Sequence, residues 1–285
     1  MTSEVKSQDE NIVDNKLFID FLFFFILIPF LLTLVLVTPL NKLFVLHTSN
    51  PEVIPFYFSN YAHANILHLL ENLIPYYLLI SLIFRFHRDR HKFYIDMFLI
   101  FGLLPLLISS GNSILFPSRN ALGFSGIVSA LFSYLLYTIY IYIQEQYNLK
   151  FRYIIPLSIF GFSVFLIILK YQIVYSINLA YTILFFFVLL FTAIVYKTDL
   201  EEFIISTWDF IEIYIKKSLT SGKLIDVFFS LYIFMVLVIL MIVIFLFLFP
   251  VNIENVNIFG HYIGYCFGLF APLASRTLQK LGFYY

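Results

Sequence analysis

Runs of about 20 consecutive apolar residues recur along this chain, and nothing else in it constrains the fold as hard, because that length is what an α-helix needs to cross a bilayer core. Read off the sequence, there are eight, at approximately 17–39, 63–84, 93–110, 124–143, 153–170, 173–196, 226–249 and 256–275. Inside hydrocarbon every backbone N–H and C=O must be paired within the segment, so the runs read as helices. Only Lys170, Tyr171 and Gln172 separate the fifth from the sixth, but together those two are too long for one ordinary span. The composition agrees. Of 285 residues, 61% are hydrophobic and 12% charged, more apolar surface than a soluble core of this size needs. The expected fold is an all-α polytopic membrane protein with eight transmembrane helices.

Lys/Arg bias in short loops orients such a bundle. The loop R-F-H-R-D-R-H-K, Arg85 to Lys92, is the strongest basic signal and is assigned to the cytoplasm. Both termini then fall inside: a polar N-terminal tail over 1–16, a membrane domain over 17–275 with an inner polar segment at 197–225, and a short tail over 276–285. Part of the inner segment, I-I-S-T-W-D-F-I-E-I-Y-I-K-K, reads as an amphipathic helix lying on the membrane. Loops 40–62, 111–123 and 250–255 fall outside, with Arg119 a mild exception to the bias. The first apolar run is too long for the core of a signal peptide and is expected to be retained. Net charge is zero, so nothing points to nucleic acid. The single cysteine, Cys266, rules out an intramolecular disulfide and any multi-cysteine metal site. Neither a metal nor a cofactor is expected.

Polar groups then stand out at the outer ends of three spans, where they are costly and usually face a bundle interior or a wet cavity. The second span opens Y-A-H-A-N-I-L-H-L-L-E-N-L and carries His63, His68, Glu71 and Asn72. His68 and Asn72 are four apart and share a helix face. Interhelical hydrogen bonding alone would account for them. The fourth opens Gly123-Phe124-Ser125-Gly126. The last opens F-G-H-Y-I-G-Y-C-F-G, with His261 and glycines at 260, 264 and 268. Small residues every four positions let backbones approach closely, and the fourth span offers a matching stripe from Ser125 or Gly126. Crossing these two helices would bring His261 towards Ser125. A serine hydroxyl becomes a nucleophile when a base takes its proton, and neutral histidine suits that role near pH 7. Donors are also needed where charge develops on the attacked carbonyl. His68, Asn72 and the Ser125 backbone N–H are the candidates. Glu71 points elsewhere, and Asp209 and Asp226 belong to the inner side, so the set reads as a Ser–His dyad rather than a triad.

At this point the sequence resembles the rhomboid family of intramembrane serine proteases. Three family motifs match in order. G-x-S-G is similar to Gly123-Phe124-Ser125-Gly126, H-x-x-x-x-H-x-x-x-N to His63, His68 and Asn72, and H-x-x-G-x-x-x-G to His261, Gly264 and Gly268. The resemblance implies Ser125 as nucleophile and His261 as general base and acid. It implies an oxyanion hole of His68, Asn72 and the Ser125 backbone N–H. His63 would lie near the cavity, with Gly123, Gly126, Gly264 and Gly268 in support. It further implies single-span membrane proteins as substrates, within the lipid, cut near the outer face beside small residues and helix-destabilising stretches. The expected location is the plasma membrane, with the active site on the extracytoplasmic side.

The chain departs from the family in three ways. Three spans rather than one separate the serine and histidine helices. The first outer loop, 41–61, lacks the family's Trp-Arg pair. Ser129 stands where an aromatic usually stacks on the histidine, which leaves Tyr262, Tyr265 or Phe124 to hold the imidazole. Three other readings compete. A non-proteolytic relative that binds membrane clients is the first, although Ser125 and His261 are both present. The second is a transporter, against which stands the lack of an inverted repeat. The third is a Ser–Lys peptidase using Lys42 or Lys170.

Overall fold

The computed structural model describes residues 18–87, 89–147, 161, 164–170, 179–198, scattered positions from 201 to 249, and 257–280. The chain is an all-α polytopic membrane protein. Five helices among the described residues are long and apolar enough to cross a bilayer: Phe18–Val37, Ile66–Phe86, Arg90–Leu115, Ser125–Tyr142 and Ile258–Arg276. These match the first four expected spans and the last. The expected span at 173–196 corresponds in part to a shorter apolar helix over Leu179–Val195. The spans at 153–170 and 226–249, the tail at 1–16 and the segment 197–225 lie largely or wholly outside the described residues, as does the end of the tail at 276–285.

Two compact units divide the chain, one of residues 1–85, 89–132 and 259–285, the other of 86–88 and 133–258. The first begins with α1, Phe18–Val37. Its opening turns are wide π-type winding over Leu22–Leu27, just before Pro29, whose missing N–H removes a helical donor inside the span. α1 buries Phe24, Ile28 and Leu32 and turns Phe23, Ile26 and Phe30 outward, an apolar face suited to lipid. The first loop is folded rather than open. It holds α2, Leu40–Leu43, strand β1, Leu46–His47, and α3, Val53–Phe58. Then come α4, Ile66–Phe86, and α5, Arg90–Leu115. α5 starts at the cap Asp89, whose carboxylate accepts the Lys92 N–H at 3.2 Å, and it unwinds to a π turn at Leu99–Leu103 just before Pro105. Strand β2, Asn120–Ala121, leads into α6, Ser125–Tyr147, and α8, Ile258–Lys280, closes the unit.

Hydrogen bonds lock the loops of one end of this unit together. β1 pairs antiparallel with β2, and His47 Nδ1 meets Asn120 Oδ1 at 2.7 Å. Thr48 donates its hydroxyl to the carbonyls of Phe116 and Arg119 and accepts the Arg119 N–H at 2.9 Å. Loops 40–62 and 111–123, both expected outside, are thus on one side. At the other end the Tyr94 hydroxyl donates to Asp20 at 2.5 Å, and Arg90 lies 4.0 Å from the same carboxylate while stacking over Phe84. Asp96 is buried in α5.

In the second unit, α7, Leu179–Val195, turns Phe186, Phe187 and Phe191 outward. Phe186 also meets Phe165 at 6.0 Å, and Lys170 Nζ donates to the Phe249 carbonyl.

Candidate active site

The site is built in the first unit, where β2 turns into α6. Gly123 has φ +131°, a conformation that side-chain-bearing residues rarely adopt. Its N–H donates to the Ser59 carbonyl at 2.9 Å, which ties the turn to the first loop. The Phe124 carbonyl accepts from the N–H groups of Ile127 and Val128, so regular helix begins at Ser125. A first-turn N–H has no carbonyl within its own helix, so the Ser125 amide points out of the helix end. Phe124 is buried among Tyr61, Tyr76 and Phe101, with ring centres 6.0, 5.7 and 6.1 Å away. That anchors the residue before the serine. It also corrects one expectation, because Phe124 is committed to this cluster and does not stack on His261. Ser129 donates its hydroxyl to the Ser125 carbonyl at 2.9 Å.

His68 enters from α4. Asn65 caps this helix, its side-chain oxygen accepting the His68 N–H at 2.9 Å. The helix therefore starts at Ile66, and His63 lies in the turn before it rather than on its first turn, a correction to the expected span. The Ala64 N–H donates to His68 Nδ1 at 3.4 Å. An Nδ1 that accepts leaves the ring proton on Nε2. That edge of the ring faces Gly123: a Cβ on Gly123 would lie 3.0 Å from His68 Cε1, 3.2 Å from Nε2 and 3.7 Å from Ser125 Oγ. Imidazole and hydroxyl thus border the same small space, which a side chain at 123 would fill.

Asn72 is buried one turn along α4 and donates one amide hydrogen to the His68 carbonyl at 2.7 Å. No acceptor for its second amide hydrogen lies among the described residues. His63 is fully buried, its ring 5.3 Å from that of His68, and neither ring nitrogen has a partner among the described residues. Burial, and then the neighbouring His68, pushes its imidazole down to about 3. Asn41 holds the His63 backbone at two points, accepting its N–H at 3.0 Å and donating to its carbonyl at 2.7 Å.

α8 brings His261. Gly126 of α6 packs against the backbone of Gly260, and Gly264 packs against the backbone of Gly126. His261 follows Gly260 and precedes Gly264 by one turn, and it is buried. The crossing anticipated from the two small stripes is present, and it sets His261 beside the start of α6. Gly268 is buried further along α8. A further glycine, at the expected loop boundary and so not singled out in the sequence, completes the joint. A Cβ on Gly111 would lie 2.5 Å from Phe259 Cε1 and 2.9 Å from Ile263 Cδ1. α8 is therefore wedged between α5 and α6. Tyr265 packs on Phe132 at 5.9 Å. Glu71 is exposed, and among the described residues no cluster of three His, Cys, Asp or Glu could hold a metal.

Comparison with known families decides the lineage: residues 50–180 match the model of the Rhomboid domain. The chain carries a Rhomboid domain. The matched stretch holds His63, His68, Asn72 and Ser125, while His261 lies beyond it. No curated protein and no solved structure matches the chain. The rhomboid assignment rests on that domain, and the joint between α6 and α8 comes from the coordinates.

Proposed function

We propose that this rhomboid is an intramembrane serine endopeptidase that cuts single-span membrane proteins through a dyad of Ser125 and His261. The observation that carries the reading is the glycine joint of α6 and α8. It brings the turn of α8 that carries the buried His261 against the start of α6, where the Ser125 hydroxyl and the Nε2 edge of His68 border the space at Gly123. In this reading His261 takes the Ser125 proton as the hydroxyl oxygen attacks the scissile carbonyl, then gives it to the leaving amine. The His68 Nε2–H, the free amide hydrogen of Asn72 and the Ser125 N–H receive the developing oxyanion. Water then attacks the acyl-enzyme, with His261 again the base. The basic loop Arg85 to Lys92 orients the chain so that the site opens near the extracytoplasmic face of the plasma membrane.

The test is cleavage of a single-span substrate by purified protein in lipid vesicles, wild type beside Ser125→Ala and His261→Ala. Cleavage lost in both variants supports the dyad. A wild type that neither cleaves nor is labelled at Ser125 by a fluorophosphonate overturns it in favour of a client-binding rhomboid.

A further inference from the structure

We propose that Asn41, in the short helix α2 of the first loop, is a positioning residue for His68. This deepens the proposed function, since its effect on rate rests on the dyad chemistry, but its effect on the His68 ring does not. Asn41 lies 22 positions before His63 and grips both backbone groups of that residue, the N–H at 3.0 Å and the carbonyl at 2.7 Å. Side-chain amides can do this because they present a donor and an acceptor side by side. The residue so gripped is the one before Ala64, whose N–H reaches His68 Nδ1 at 3.4 Å.

Asn65 then fixes the His68 backbone from the other side through its cap. The turn is therefore a short relay. Asn41 sets the turn at His63, the next amide sets the acceptor role of Nδ1, and Nε2–H is left aimed at the space between Gly123 and Ser125. Without the grip the turn is held by Asn65 alone, and the Ala64 N–H is free to swing off a bond that is already long. An imidazole released from that bond exchanges its ring proton between the two nitrogens. For part of the time it would then present a lone pair, not a donor, to an oxyanion.

The experiment uses the full chain labelled with 15N-histidine, in lipid nanodiscs. The six histidines give few enough ring signals to resolve, and His68→Gln identifies the His68 pair. In wild type His68 should show one tautomer, protonated at Nε2. In Asn41→Ala the two ring nitrogens should move towards a common averaged shift. Cleavage of a single-span substrate should show kcat reduced by about ten- to a hundredfold, less than removal of an oxyanion donor itself, with KM unchanged. Asn41→Asp keeps the acceptor for the His63 N–H and loses the donor, so it should fall between the two. It also serves if Asn41→Ala does not fold. An unchanged His68 tautomer in these variants overturns the proposal, whether or not the rate falls. If wild type cleaves nothing but Asn41→Ala still shifts the tautomer, the relay stands and the dyad reading fails.

Discussion

Gly264 and Gly126 touch backbone to backbone. A Cβ on Gly264 would lie 2.8 Å from the Gly126 carbonyl carbon and closer still to its oxygen. In the glycine a hydrogen takes that direction, so the contact has the form of a Cα–H···O bond between helices, an interaction that recurs where small residues let helices meet. Everything proposed for His261 depends on this spacing.

Gly264→Ala must push α8 off α6. Overpacking of this kind costs about 1–3 kcal/mol, and displacing a catalytic group by about 1 Å costs roughly a hundredfold in rate. Thermal unfolding in detergent and initial cleavage rates measure the two effects separately. A variant as active as wild type would mean that the joint does not set the catalytic distance.

Gly123→Ala meets two obstacles, a backbone at φ +131° and the edge of the His68 ring. The strained backbone costs about 1–3 kcal/mol. The methyl also displaces His68 from its place beside Ser125. Labelling of Ser125 by a fluorophosphonate, timed in protein that stays folded, should be slower in the variant. An undiminished labelling rate would detach His68 from the reactivity of the serine.

Ser125→Ala and His261→Ala should each lower cleavage by several orders of magnitude, and the double variant should be no worse than either, because groups that act as a unit fail together. Additive losses would count against a dyad.

His63 links stability to pH. Its imidazole is held down to about 3, while an exposed histidine titrates at 6.5. Between those values the unfolded chain binds a proton that the folded chain refuses, so stability falls as pH drops below 6.5. Above 6.5 both forms are neutral and this residue contributes no slope. The limiting slope is about 1.4 kcal/mol per pH unit. Denaturation midpoints from about pH 7 down to 4 should fall steeply in wild type, and less steeply in His63→Gln. Equal slopes in the two proteins would place the acid sensitivity elsewhere.

Much of this architecture is legible in the residues. Membrane helices announce themselves by length and apolarity, and the stripes at Gly126 and Gly260–Gly264 announced a close crossing. What escaped the reading was local or non-periodic. The apolar pattern extends the helix through His63, although Asn65, three before His68, is a readable cap. The π turns at Leu22–Leu27 and Leu99–Leu103 lie in uniformly apolar runs where no side-chain pattern marks extra winding. Nothing in the sequence ties Asn41 to His63, since a side-chain grip across a loop leaves no periodicity. Gly111 looked like a loop residue because α5 runs to Leu115, beyond the expected boundary at 110.

The glycine joint also bears on how this active site could change over evolutionary time. Its partners are main-chain atoms on two helices, so their alignment is insensitive to most side chains between Ser125 and His261. The entropy of closing a loop grows only slowly with its length. A chain built this way can accept inserted or rewritten sequence between nucleophile and base with little penalty to their meeting. Selection then falls on a few bare positions rather than on the long stretch that joins them.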